Sequence, residues 1–169
     1  MDLKTFELLA NYNLWATQKL KHALVSVSDG DFFSDQGLYF KSIFGTLNHL
    51  LVGEHYLWFP RFALQNSAML PLDHIVETNR TQLIEQLEKK AENWIHFLKQ
   101  VDTNFFDQDL HYKTSTGVAM SLPYAATLMH VFNHATHHRG QITAVLTAMG
   151  YACPELDLIY MLLEENAKK

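Results

Sequence analysis

Apolar residues recur every three or four positions along four long stretches of the chain, the period of a helix with one buried side. The first stretch predicts a helix over Leu3–Val25, with Leu3, Phe6, Leu9, Ala10, Leu14, Leu20 and Leu24 on one broad face and Asp2 placed to cap it. A second starts near Lys41 or Ser42, with Ile43, Leu47, Leu50, Leu51, Leu57 and Trp58 on its core side. It is expected to end before Pro60, because the residue ahead of a proline is pushed out of helical geometry. The third covers Glu77–Val101, with Leu83, Leu87, Ala91, Trp94, Leu98 and Val101 inward and a solvated face around Glu85, Glu88, Lys89, Lys90 and Glu92. The fourth covers Pro123–Met149 and is apolar at Val131, Ala135, Ile142, Val145 and Met149. Pro123 suits a first helical turn and Gly150 a C-terminal cap.

The intervening segments break this period. Ser26–Gly37, with Asp29-Gly30-Asp31, reads as a loop, and residues 61–76 as a connection of no readable conformation. Leu110–Leu122 is enriched in Tyr, Thr and Val around Ser115-Thr116-Gly117, the pattern of a short hairpin. Beyond Pro154, Asp157–Glu165 is apolar enough to dock as a short helix. The expected architecture is all-α: an antiparallel four-helix bundle with a short extended segment before its last long helix and a short C-terminal helix, forming a single domain over residues 1–169.

Composition narrows the function classes. The chain is 48% hydrophobic and 18% charged, with a net charge of -5, so it lacks the basic footprint of a nucleic-acid binder. A single cysteine, Cys153, excludes an internal disulfide and a cysteine-rich zinc site. The N-terminus is amphipathic from the start, unlike a signal peptide, and no apolar run reaches membrane-spanning length. A cytoplasmic protein without membrane or nucleic-acid partners is expected.

The chemistry concentrates in the fourth helix, where His130, His134, His137 and His138 fall within nine residues. Residues four apart share a helical face, so His130, His134 and His138 form a stripe with His137 beside it. The apolar spacing sets His134 and His138 on or next to the inward side, and His130, His137 and Gln141 more to a flank. Two readings stand: hydrogen-bonded structural histidines, or imidazoles sharing a cation. In the second helix, Gly45 and Gly53 flank His49 by about one turn each, which points either to close helix packing or to a group that approaches His49. Bundles build metal sites from facing helices, so His49 is the natural third ligand for a pair on the fourth helix. Asn48, Asn133 and Gln141 are candidates to orient ligands or substrate. Glu54 is a weak candidate base, since on an ideal helix it points away from His49, and His111 reads as a surface residue.

Three stretches carry a family resemblance: Tyr12-Asn13-Leu14-Trp15-Ala16, Thr46-Leu47-Asn48-His49-Leu50, and Val131-Phe132-Asn133-His134-Ala135-Thr136-His137-His138-Arg139-Gly140-Gln141. The chain resembles the DinB/YfiT-like family of metal-dependent four-helix bundles over essentially its whole length. The resemblance implies a divalent metal on His49, His134 and His138, with His130 and His137 as supporting or competing groups, and a homodimer. Zinc or nickel is expected first, with manganese or iron as alternatives, since ligand type alone does not decide. Three imidazoles leave a tetrahedral ion with an open position, as catalytic sites do. No glutamate adjoins the pair on the fourth helix, which excludes the His-Glu-x-x-His protease arrangement. Three functions follow from the resemblance and the open site: an S-transferase that activates a small thiol such as bacillithiol, mycothiol or glutathione, a metal-dependent hydrolase, or a stress-associated metal-binding protein without turnover.

Overall fold

The Asp2 carboxylate accepts the backbone N–H of Thr5 at 2.9 Å and so begins α1 (Leu3–Leu24), the first element of a computed structural model that describes residues 2–168. A short helix, α2 (Asp29–Phe33), follows where a loop was expected. Ser28 caps it by accepting the N–H of Asp31, Asp29 and Asp31 set negative charge in its first turn, and Phe32 anchors it in the core. Five residues are too few to display a helical period, which is why the pattern does not reveal it.

The second long rod joins three segments of two geometries. Ser42 caps α3 (Ile43–Leu50) by accepting the N–H of Gly45 at 3.0 Å. The chain then continues through a π-helical segment, Leu51–Trp58, into α4 (Phe59–Ala63). The rod therefore passes Pro60 rather than ending before it. In an uninterrupted α-helix the proline ring would strike the carbonyl of Tyr56 and break an i→i−4 bond. Here the N–H of Phe59 instead reaches back to the Glu54 carbonyl, and Pro60 falls in the first turn of α4, where a missing N–H is tolerated.

After an extended connection, Asn79 caps α5 (Arg80–Leu98). This helix is shorter at both ends than its apolar period predicts. At its start, the N–H groups of Val76 and Glu77 are held by the Asn48 side chain instead of entering the helix. A 3₁₀ turn, Thr103–Asp107, leads to the predicted hairpin, in which β1 (Asp109–Lys113) and β2 (Ala119–Pro123) pair antiparallel with His111 opposite Ser121. The fourth long helix, α6 (Tyr124–Ala148), ends at Gly150, whose φ of +80° suits glycine. Finally α7 (Leu158–Asn166) docks on α1: Trp15 Nε1 donates to Glu164, Lys19 pairs with Glu164, and the Tyr12 hydroxyl donates to the Leu156 carbonyl at 2.6 Å.

The four long segments form a four-helix bundle with two large apolar cores, and a smaller cluster of Tyr12, Ala16 and Met161 seats α7 on α1. One gathers Leu24, Phe32, Ile43, Leu83, Ile142 and Leu146; the other gathers Phe6, Phe62, Trp94, Leu98, Leu128 and Phe132. Along α1 and the second rod, the stretches carrying Asn13 and Glu54 separate the two cores. No helix among the described residues is long and apolar enough to cross a membrane.

Candidate metal centre

His49 on α3 and His134 and His138 on α6 meet across the bundle. Their Nε2 atoms converge, with His134 at 3.0 Å from His49 and 3.1 Å from His138. The three ligand-capable nitrogens all lie within 4.8 Å of one another. The i, i+4 spacing on α6 places two of them on one face, and the facing rod supplies the third.

The far side of each ring sets its tautomer. His49 Nδ1 lies 2.8 Å from the Leu72 carbonyl, and His138 Nδ1 lies 2.7 Å from the Gln141 amide oxygen. Both partners accept, so each Nδ1 carries the proton and each Nε2 presents a lone pair to the centre. His134 Nδ1 is buried without a partner. A proton on His134 Nε2 can be donated to only one of its two neighbours at a time. The donor set is therefore short of hydrogens and matched to a cation, and each of the two outer rings has the second hydrogen bond that metal-ligating histidines use to fix their orientation.

Electrostatics agrees with this. Burial pushes His134 down to about 3, helped by the neighbouring His138, His49, His130 and His137. Burial pushes His138 down to about 4 against the Gln141 bond, and lowers His49 against the Leu72 bond. All three are neutral at pH 7, the form in which imidazole binds metals.

The surroundings hold His49 closely. Phe40 stacks on its ring at 3.8 Å with an interplanar angle of 15°, and meets His138 edge-on at 5.7 Å. Gly45 makes this possible, because a Cβ there would lie 2.0 Å from the Phe40 carbonyl oxygen. The Asn48 carbonyl oxygen grips the N–H groups of Val76 and Glu77 at 3.0 and 3.1 Å, so Asn48 acts on the connection that carries Leu72 rather than on the centre. A cleft of about 1030 Å³ runs beside the centre and shares Phe40 and Leu72 with it as walls, together with Tyr39, Phe44 and Ile75.

The remaining sequence candidates separate. Gln141 joins the centre through His138. His130 and His137 are exposed and stand outside the three-nitrogen group, with ring centroids 5.5 Å from His134 and 4.9 Å from His138 respectively. Asn133 is exposed, as are His111 on the hairpin and Cys153. Glu54 is 3% exposed and does not join the centre: its carboxylate accepts from Asn13 at 2.8 Å, and Arg139 donates to the other end of the same amide. Burial pushes Glu54 up to about 7 against the pull of Arg139 and Asn13. Sequence reasoning missed Phe40 and Leu72, which lie in segments without apolar period. The glycine at position 45 was the one signal of the approach of Phe40.

Comparison with known proteins places the chain and its fold. Protein DinB of Bacillus subtilis (strain 168) is 27% identical over 167 residues, covering 95% of each chain. The solved structure of YfiT from Bacillus subtilis, described as a probable metal-dependent hydrolase with an unusual four-helix bundle topology, superposes with a TM-score of 0.67 at 17% identity. That superposition covers 90% of this chain and 91% of YfiT. The family model of DinB matches residues 1–168, and the chain belongs to the DinB family.

Proposed function

We propose that the protein is a divalent-metal-dependent hydrolase in which His49, His134 and His138 hold the ion and the cleft along Phe40 and Leu72 admits the substrate. The observation that carries this reading is the convergence of three neutral imidazole nitrogens with too few hydrogens among them. The description of the fold neighbour YfiT agrees with it. When bound, the ion supplies a Lewis acid and lowers the pKa of water at its open position. Zinc or nickel suits an all-imidazole set, with manganese and iron as competitors. The chain's own residues do the rest. Leu72 and Gln141 lock two of the rings, Phe40 shields His49 from water, and His130, whose pKa partial desolvation lowers, stands one turn from His134 as a proton acceptor.

A second reading, activation of a small thiol for transfer, is supported by one feature: the ligand-capable group contains no carboxylate among the described residues. A thiol needs no separate base, because coordination removes its proton outright. The test is turnover of an ester and amide panel by metal-loaded protein, with and without small thiols, alongside His49→Ala and His138→Ala. Thiol-independent turnover that both variants lose supports the hydrolase, and turnover only with a thiol replaces it with the transferase. Metal-dependent melting without any turnover leaves the non-catalytic reading.

A further inference from the structure

Arg61 in α4 is 5% exposed yet has no counter-ion among the described residues. Its guanidinium carbon sits 4.5 Å from the Trp58 ring centroid and 4.7 Å from that of Tyr112, in the notch of two rings inclined at 59°. The rings attract its charge but offer its N–H groups no lone pair. Its Nε is buried without an acceptor, and no carboxylate lies within ion-pair distance of it among the described residues. Arginine cannot shed its proton, and a buried charge with no counter-ion costs several kcal/mol.

Arg61 lines a cavity of about 650 Å³ between α4, the end of α5 and the hairpin, with Phe97, Val101 and Phe105 as apolar wall and Gln108 as a neutral polar group. Asp102 and Asp109 also line it, and their charge disfavours a doubly negative guest. None of His49, His134 and His138 lines this cavity, so it is a second site that does not rest on the metal reading.

We propose that this cavity binds a monoanionic organic carboxylate, its carboxylate on the Arg61 guanidinium and its apolar body against Phe97, Val101 and Phe105. The planar fork of arginine matches two carboxylate oxygens, and a cavity of this size holds a small organic acid. The test titrates benzoate and hexanoate into the whole protein, read by tryptophan fluorescence because Trp58 lies against Arg61. Benzamide, hexanamide and inorganic phosphate serve as controls, and the series is repeated on Arg61→Met and His49→Ala. Saturable binding of a carboxylate is expected in wild type and in His49→Ala alike, about tenfold or more weaker for the matching amide and for Arg61→Met. Equal binding of acid and amide, no saturation by either acid, saturation by phosphate alone, or a folded Arg61→Met that binds as wild type does would overturn the proposal. Should Arg61→Met fail to fold, the acid against amide comparison in wild type decides. Loss of turnover in His49→Ala with carboxylate binding intact separates this site from the metal centre.

Discussion

Two polar clusters lie inside the same bundle, and they differ in whether a group of one charge is answered by its opposite from within, although Arg139 Nε in the first is itself buried without an acceptor. In the first, the Asn13 amide donates to Glu54 and accepts from Arg139, so a buried carboxyl group and a buried cation are joined through one neutral side chain. In the second, His49, His134 and His138 turn three nitrogens toward one point with hydrogens enough for only part of them. A cluster that pairs donors with acceptors holds a fold together. One left with spare lone pairs in a common direction calls for a cation from outside.

The sharpest way to break this contrast is to compare the metal response of the two clusters. Metal at about a thousandfold its dissociation constant should stabilise the wild type by about 4 kcal/mol over chelator-treated protein. His134→Ala should show no such difference, and elemental analysis after dialysis should find no retained ion. A variant that keeps its ion and its metal-dependent melting shift would remove the distinction. The next effect belongs to the other cluster. Asn13→Ala strands Glu54 and Arg139 without their shared partner and should cost about 3 kcal/mol in urea unfolding, with metal content unchanged. If Asn13→Ala loses its metal as well, the two clusters are one unit.

Proton linkage separates them further, because the signs are opposite. Folding lowers the pKa of the histidines, so their contribution is present above the unfolded value of 6.5 and is lost as pH falls through about 4 for His138 and about 3 for His134. Folding raises Glu54 from 4.5 to about 7, so its contribution is full below 4.5 and is lost as pH rises through about 7. In chelator-treated protein, Glu54→Gln should therefore gain on the wild type by roughly 2 kcal/mol between pH 4.5 and 7.5. Two stability curves running parallel over that window would show that Glu54 folds with an ordinary pKa.

Part of this is legible in the sequence, and the reason is periodicity. His134 and His138 stand four residues apart within an apolar period, so their shared face follows from helical geometry alone, and the bundle supplies His49 opposite. What periodicity does not encode is anything held by a turn or an extended segment. Phe40 reaches His49 from the turn in which Lys41 donates to the Leu38 carbonyl, and Leu72 arrives on a connection pinned by Asn48. Arg61 was hidden for a third reason. Pro60 predicts that the helix stops, whereas the π-helical register carries it past the proline and puts Arg61 against Trp58. The same departure from α geometry limits any placement of Glu54 on an ideal wheel.

The smallest effects test the two glycines that flank His49, which look equivalent in sequence. At Gly45 an added Cβ would meet the Phe40 carbonyl oxygen at 2.0 Å, a backbone atom, so the turn must move and take the Phe40 ring off His49. Gly45→Ala should cost about 1–3 kcal/mol in urea unfolding and weaken metal binding as well. At Gly53 the nearest atom would be His134 Cε1 at 3.5 Å, an ordinary contact. There the gain in helix propensity, roughly 1 kcal/mol at most, should leave Gly53→Ala neutral or slightly more stable, with metal affinity intact. Equal losses in the two variants would mean that close helix packing explains both glycines. An asymmetric result would assign Gly45 to the approach of Phe40 and leave Gly53 as a position where the bundle tolerates a methyl group beside the centre.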